Sequence, residues 1–181
     1  MMNDIELKEK LMAAAYNLYR PLPGDDLPAL LNAMLKYIGT TDSILRDDLI
    51  YSNFNQWILK HHLLNTEQLR DLVHKAISDE HIFYHIGETE GDGVFRRSFS
   101  MLLLPLILTA HRDLPYLSPA EIGQIKESLL RYGREEKDLR GFVAGKGWAH
   151  AAAHYADALD DLAQAVELNA PDLREILSVV T

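Results

Sequence analysis

The chain has 181 residues, no cysteine, and 18 Lys and Arg against 27 Asp and Glu, for a formal charge of −9. That balance argues against nucleic acid as a partner, because phosphate contacts need a basic footprint, and the lack of cysteine excludes disulfides and thiolate-bound metal. With 48% hydrophobic and 25% charged residues it reads as a single globular domain over 1–181, long enough to bury about two-thirds of the surface its unfolded form exposes.

In chain order, Ile5, Leu11, Met12, Ala15 and Leu18 predict a first helix that ends before Pro21 and Pro23. Leu27, Leu30, Leu31, Met34, Leu35 and Ile38 predict a second, capped by Asp25 or Asp26, with Pro28 in its first turn and Gly39 as its stop. Leu45, Leu49, Ile50, Phe54, Trp57 and Ile58 mark a third, entered from Asp42. Thr66 is the expected cap of a fourth, with Leu69, Leu72, Val73, Ala76 and Ile77 facing inward. A fifth starts at Asp92-Gly93, and its stretch from Met101 to Leu108 is apolar on every side, as befits a central buried helix. Pro105 should kink it. Ser118, Pro119 and Glu121 form a capping box at the start of a sixth. A seventh is expected over 147–167 and an eighth after Pro171.

No segment shows the period-2 pattern of a strand. The predicted fold class is therefore all-α, with about eight helices. Starts near residues 4, 44, 94 and 147 suggest four helix-turn-helix pairs, in a HEAT- or armadillo-like stack or a compact bundle. The N-terminal Met1-Met2-Asn3-Asp4-Ile5-Glu6 lacks the basic flank and apolar core of a signal peptide. The longest apolar run falls short of the roughly 20 residues that a membrane span needs. A cytoplasmic protein without a membrane partner is the expectation.

The segment 147–162 is the most unusual. At about 100° per residue, Trp148, Ala152, Tyr155, Leu159, Leu162 and Val166 form an apolar stripe, and His150, His154, Asp157 and Asp161 form a second stripe nearly opposite. Ala149, Ala153 and Ala156 flank the second stripe on one side, Ala151 and Ala158 on the other. Such small flanks predict a helix packed on several sides, with its His/Asp stripe lining a groove. Two imidazoles four apart and a carboxylate three later have the reach to hold one divalent metal, with His150, His154 and Asp157 as ligands to zinc, manganese, iron or nickel. A hydrogen-bonded packing role for the same side chains is the favoured alternative. His81, His85 and Glu88 repeat the spacing, but beside Gly87, which ends a helix.

Two basic features join this candidate groove. The loop 138–147 carries three glycines with Arg140 and Lys146, and backbone N–H groups exposed there could hold an anion. It lacks the Ser or Thr of a P-loop, and turn-making is the favoured reading. Arg96 and Arg97 stand in the first turn of the fifth helix, where the helix dipole disfavours positive charge. A buried or half-buried ion pair with Asp92, Glu88 or the aspartates of the seventh helix is expected; the alternative presents an arginine to an anionic ligand. Ser98, beside them, completes the candidate set, although neither it nor Ser100 has a base visible in the sequence.

On these same residues the chain resembles an uncharacterised bacterial family, domain of unknown function 2785. The resemblance rests on Val94-Phe95-Arg96-Arg97-Ser98-Phe99-Ser100, on Asp138-Leu139-Arg140-Gly141-Phe142 running into Lys146-Gly147-Trp148-Ala149-His150, and on His154, Ala156 and Asp157. It is strongest over 88–162. The resemblance implies a helical, HEAT-like fold in a bacterial cytosolic protein and supplies no activity. The leading expectation is a binding module that holds a protein or a small anionic ligand in the groove lined by His150, His154 and Asp157, with a homodimer as one form of assembly. A metal-dependent hydrolase, with Arg97 or Arg140 neutralising charge on the substrate, is the alternative.

Overall fold

A computed structural model describes residues 2–179 and is mostly helical, with one tiny two-stranded sheet. In chain order the helices are α1 (Asp4–Tyr16), α2 (Leu27–Tyr37), α3 (44–60), α4 (Thr66–Ala76), α5 (Gly93–Met101), α6 (Leu103–Asp113), α7 (Pro119–Glu135), α8 (Ala151–Ala163) and α9 (Ala170–Ser178). Within α3, the widened π-helical turns Ile44–Tyr51 and Gln56–Lys60 flank the α-helical Ser52–Asn55. Between α7 and α8 lies a small hairpin that periodicity did not predict, β1 (Phe142–Val143) antiparallel to β2 (Gly147–Trp148).

The helix starts follow from their caps. Asn3, Asp26, Ser118 and Asn169 each accept a backbone N–H from the first turn that follows, and Ser118 forms the predicted box with Glu121. Asp42 accepts from Leu45 N and opens α3 as expected. For α4 the cap is Asn65, paired reciprocally with Gln68, and Thr66 is already inside the helix. The fifth predicted helix is broken at Leu102 into α5 and α6, one turn before Pro105, whose missing N–H cannot support the preceding turn.

The helices lie in two rows. α1, α3, the α5–α6 pair and α8 follow one another side by side, through contacts of α1 with α3, α3 with α6, and α6 with α8. α2 packs on α1, α4 on α6 and α7 on α8; α2 and α4 share a crevice, and α9 closes against α7 and α8. Burial explains this order. Leu103, Leu104 and Ile107 on α6 are fully buried, so α6 is covered on every side, while α2, α4 and α7 each bury one face. The segment Gly93–Asp113 is long and apolar enough to cross a membrane by composition, but 83% of its most apolar window is buried within the protein.

Candidate functional site

The hairpin stands on a buried arginine. Arg46, on the first π-helical turns of α3, is fully buried between the rings of Phe95 and Phe99, 4.4 and 4.6 Å from its guanidinium carbon. Its Nη1 donates to the Thr40 carbonyl at 2.8 Å and its Nη2 to the Lys146 carbonyl at 3.0 Å. Nε lies 2.8 Å from Asp47 Oδ1 but off the hydrogen-bonding direction, so the two meet as charges without a directed bond. Burial outweighs the nearby Arg46 and His150 and holds the Asp47 carboxyl above the ordinary carboxylate range. Gly147, with φ +85, passes so close that an added Cβ would come 2.9 Å from Ser43 Cβ and 3.0 Å from Arg46 Nη2. Val143 packs from the hairpin onto Val94, Phe95, Ala149 and Ala151.

Two ion pairs clamp the same loop from its sides. Lys146 holds Asp92 at 2.6 Å, and Arg140 grips the buried Asp138 while donating to the carbonyls of Glu90 and Gly91 at 3.1 and 2.6 Å. Asp92 therefore stands at the start of α5 without capping it; its carboxylate is engaged by the hairpin. Arg140 and Lys146 serve loop architecture here, which corrects the anion-cradle alternative.

α8 begins at Ala151, four residues later than the predicted start, and this displaces the His/Asp stripe. His150 is the residue before the helix and sits in the left-handed region at φ +56, uncommon for a residue with a side chain. Trp148 is on β2, not on the apolar stripe. It is 49% exposed, stacks flat on His150 with centroids 4.7 Å apart, and meets the edge of Phe142, itself 62% exposed. His154 is buried, 5.5 Å from the His150 ring and edge-on to Phe99. Its Nδ1 lies 3.1 Å from the Ser98 carbonyl, which can only accept, so the proton resides on Nδ1; the Ser98 hydroxyl donates in turn to the Ala149 carbonyl. Burial, helped by the charge of Arg46, pulls the His154 imidazole down to about 4, and it is neutral at pH 7. Ser98 is fully buried and tied to this network, which leaves it no role as a nucleophile.

The remaining candidates separate. Asp157 is exposed and makes no ion pair among the described residues, whereas Asp161 binds Arg112 at 2.5 Å and Thr109 at 3.2 Å, tying α8 to α6. Arg97 is fully buried with all five N–H donors engaged: a bidentate pair with Glu136 at 2.6 and 2.9 Å, and the carbonyls of Tyr84, His85 and Glu88. The ion pair was expected; its partner is Glu136, not Asp92, the Glu88 carboxylate or the aspartates of α8. Arg97 is therefore not offered to a ligand. Arg96 instead donates to the carbonyl of Lys36, at the C-terminal end of α2, at 2.8 Å. The negative end of α2 so compensates a cation on the positive end of α5.

The metal reading does not survive this geometry. Among the described residues no three His, Asp or Glu side chains are placed to hold a metal ion. His150 lies outside the helix on the Trp148 ring, and His154 Nδ1 is taken by Ser98, so His150, His154 and Asp157 do not form a common site. The i, i+4, i+7 argument required one continuous helix, and His150 in the left-handed region ends it. His81, His85 and Glu88 diverge likewise: His81 faces Ser78, while His85 pairs with Glu88 at 3.1 Å.

What sequence reasoning missed is Arg46, Glu136 and the exposed Phe142. Phe142-Val143 and Gly147-Trp148 around a turn with Gly145 at φ +75 do carry a hairpin signal, short as it is. Nothing local marks Arg46 or Glu136, because the contacts that tie each to the site, Arg46 to Lys146 and Glu136 to Arg97, span 100 and 39 residues.

No curated protein and no solved structure matches the chain. The family described as "Protein of unknown function (DUF2785)" matches over residues 82–181, a span that holds α5 through α9, the hairpin, the Arg97–Glu136 pair and the His150–His154 corner. With more than half of its length so matched, the chain belongs to that family.

Proposed function

We propose that the chain is a non-enzymatic binding module, a HEAT-like stack of helix pairs that holds a protein partner on the face made by the hairpin and the start of α8. The observation that carries this reading is the Phe142–Trp148–His150 cluster: two large aromatic side chains about half or more exposed, with Trp148 stacked on a strained histidine and Phe142 set edge-on to Trp148. Left-handed backbone at a non-glycine residue costs of order 1–3 kcal/mol and gathers where structure serves a site. Trp and other aromatics are the residues that anchor protein interfaces. Beside them Ala152, Ala153 and Ala156 of α8 are exposed, a flat uncharged strip that a partner backbone can approach closely. The buried Arg46 and the flanking ion pairs hold the aromatic tip in place before any partner arrives, and such preorganisation lowers the entropy lost on binding.

A photo-crosslinking residue placed at Phe142 in living cells tests this. A discrete partner, captured at 142 but not at the still more exposed Leu114, and lost when Trp148→Ser is added without a change in melting temperature, is the expected result. Capture of the chain itself identifies a homodimer across the same face. Equal labelling from both positions, or none from 142, overturns the reading.

A further inference from the structure

A second candidate site lies where the C-terminal ends of α2 and α4 meet the start of α5, and it shares no residue with the hairpin cluster. Lys36 is the penultimate residue of α2, Lys75 is the penultimate residue of α4, and Arg96 stands in the first turn of α5. With Asn32, Glu80 and His81 these side chains line an open cleft of about 270 Å³. In a chain where acids exceed bases by nine, the cleft reverses the balance: three cations face Glu80, and Asp71 nearby is engaged on Lys75 at 2.7 Å.

Two of the three cations are not neutralised by a carboxylate among the described residues. Lys36 Nζ meets only the Tyr37 hydroxyl, at 2.9 Å, and the Tyr37 ring. Arg96 donates to the Lys36 and Glu80 carbonyls and rests 5.0 Å from the centre of the Tyr84 ring, which leaves its Nε–H and one hydrogen on each terminal nitrogen free. Lysines at helix C-termini complement the dipole, and that accounts for Lys36 and Lys75. The α2 C-terminus likewise offsets part of the Arg96 charge through the Lys36 carbonyl, but it leaves the remaining Arg96 N–H groups unused, and it does not account for His81. His81 is 7% exposed, and its Nε2 is buried with no partner. Ser78 Oγ donates to the Lys75 carbonyl at 2.7 Å and so accepts from His81 Nδ1–H at 3.3 Å, which leaves Nε2 as a bare acceptor in a wall of the cleft. A buried polar atom without a partner forgoes an interaction that a ligand can restore.

We propose that this cleft binds the phosphoryl group of a small phosphorylated molecule, with Lys36, Lys75 and Arg96 as the charge-bearing donors and His81 Nε2 accepting a hydrogen bond from a ligand hydroxyl. The donor set matches the chemistry: cations on three different helices surround a multi-oxygen anion, and the bare imidazole nitrogen selects a species that carries an O–H, either the monoprotonated phosphate or the organic part of an ester. The adjoining crevice between α2 and α4, which shares Asn32, Leu35 and Lys75 with the cleft, adds apolar wall for that organic part.

The test is a titration of the full chain with inorganic phosphate and, separately, with phenyl phosphate, at ionic strength held constant with chloride. Binding is followed by the side-chain nitrogen shifts of His81 and by calorimetry. The expected result is saturable binding in the millimolar range or tighter, a shift at His81 Nε2, and about tenfold or greater weakening in Lys36→Gln/Lys75→Gln, equivalent to roughly 1.4 kcal/mol or more. Tighter binding of phenyl phosphate assigns the site to an ester, and equal binding assigns it to the free anion. No saturation by about 20 mM for either probe, a response that chloride reproduces, or unchanged affinity in the folded double variant overturns the proposal. His81→Gln supplies a second variant should the double one misfold. Trp148→Ser should leave this binding unchanged, so failure here leaves the hairpin reading standing, and the reverse.

Discussion

Arg46 Nη2 donates to the carbonyl of Lys146 at 3.0 Å across 100 residues of chain, and the same guanidinium fills the space between Phe95 and Phe99. Through this one side chain, α3 fixes both the rings of α5 and the turn that carries the aromatic hairpin. Removing it leaves two carbonyls and the half-buried Asp47 carboxylate without their cation and opens a void between two rings. Arg46→Met is therefore expected to lose about 3 kcal/mol in urea denaturation. Arg46→Lys should recover little, because an ammonium can neither fork to two carbonyls nor lie flat between two rings. Limited proteolysis after Lys146 should quicken in both variants.

Arg97 and Glu136 form the second buried charge pair, at 2.6 Å. Truncating either partner alone, as Arg97→Met or Glu136→Leu, should cost about 3–5 kcal/mol, because the survivor is left charged and buried. The double variant should melt higher than either single one. Chemical melts of the three variants, read as a double-mutant cycle, measure the coupling.

Two glycines make a paired prediction of opposite sign. A Cβ at Gly39 would overlap Arg96 Cβ and come 2.7 Å from its Cα and 2.8 Å from its backbone nitrogen, with no flexible atom to yield. Gly123, inside α7, has nothing within 4 Å of that position. Gly39→Ala should lower the melting temperature by several degrees. Gly123→Ala should raise stability by about 0.5–1 kcal/mol through helix propensity and the unfolded chain's reduced freedom.

Acid should weaken the fold before its carboxylates titrate. Unfolded, His81 and His154 take up protons near their ordinary 6.5; folded, burial holds both down to about 4. Between those values the unfolded chain binds more protons, so stability falls as the pH drops from 6.5 to 4 and is flat above 6.5 for these two groups. Each can contribute up to about 3 kcal/mol. Melting temperature against pH should slope down through this window, and His154→Gln should flatten the slope. Asp42 and Asp172, whose carboxyls are held below the ordinary carboxylate range, act only at lower pH.

Much of the fold is legible in the residues themselves. Ser118-Pro119 and Glu121 place the start of α7 to the residue, and the apolar run of α6 is the most enclosed part of the molecule, because capping and periodicity act over three to seven residues. The site is less legible for the same reason. The spacing from His150 to Asp157 looked helical because periodicity assumes one backbone conformation, and a single residue at φ +56 breaks that assumption. The expectation that the flanking alanines meant burial holds for Ala149, Ala151 and Ala158 but not for Ala153 and Ala156, which face solvent as does Ala152 of the apolar stripe. Composition marks where a backbone can approach closely, not whether anything does. Arg97 was flagged by its conflict with the helix dipole, a local rule; Glu136, which resolves that conflict, lies 39 residues on and obeys no local rule at all.

The guanidinium that wedges between Phe95 and Phe99 comes from residue 46, whereas the family match begins at residue 82. The matched half is thus not self-sufficient: it presents a socket of two aromatic rings and a carbonyl that another stretch of chain must plug. A leading segment exchanged for 2–81 would have to deliver a planar cation to that socket as well as the apolar faces that α1 to α4 bring to the common core.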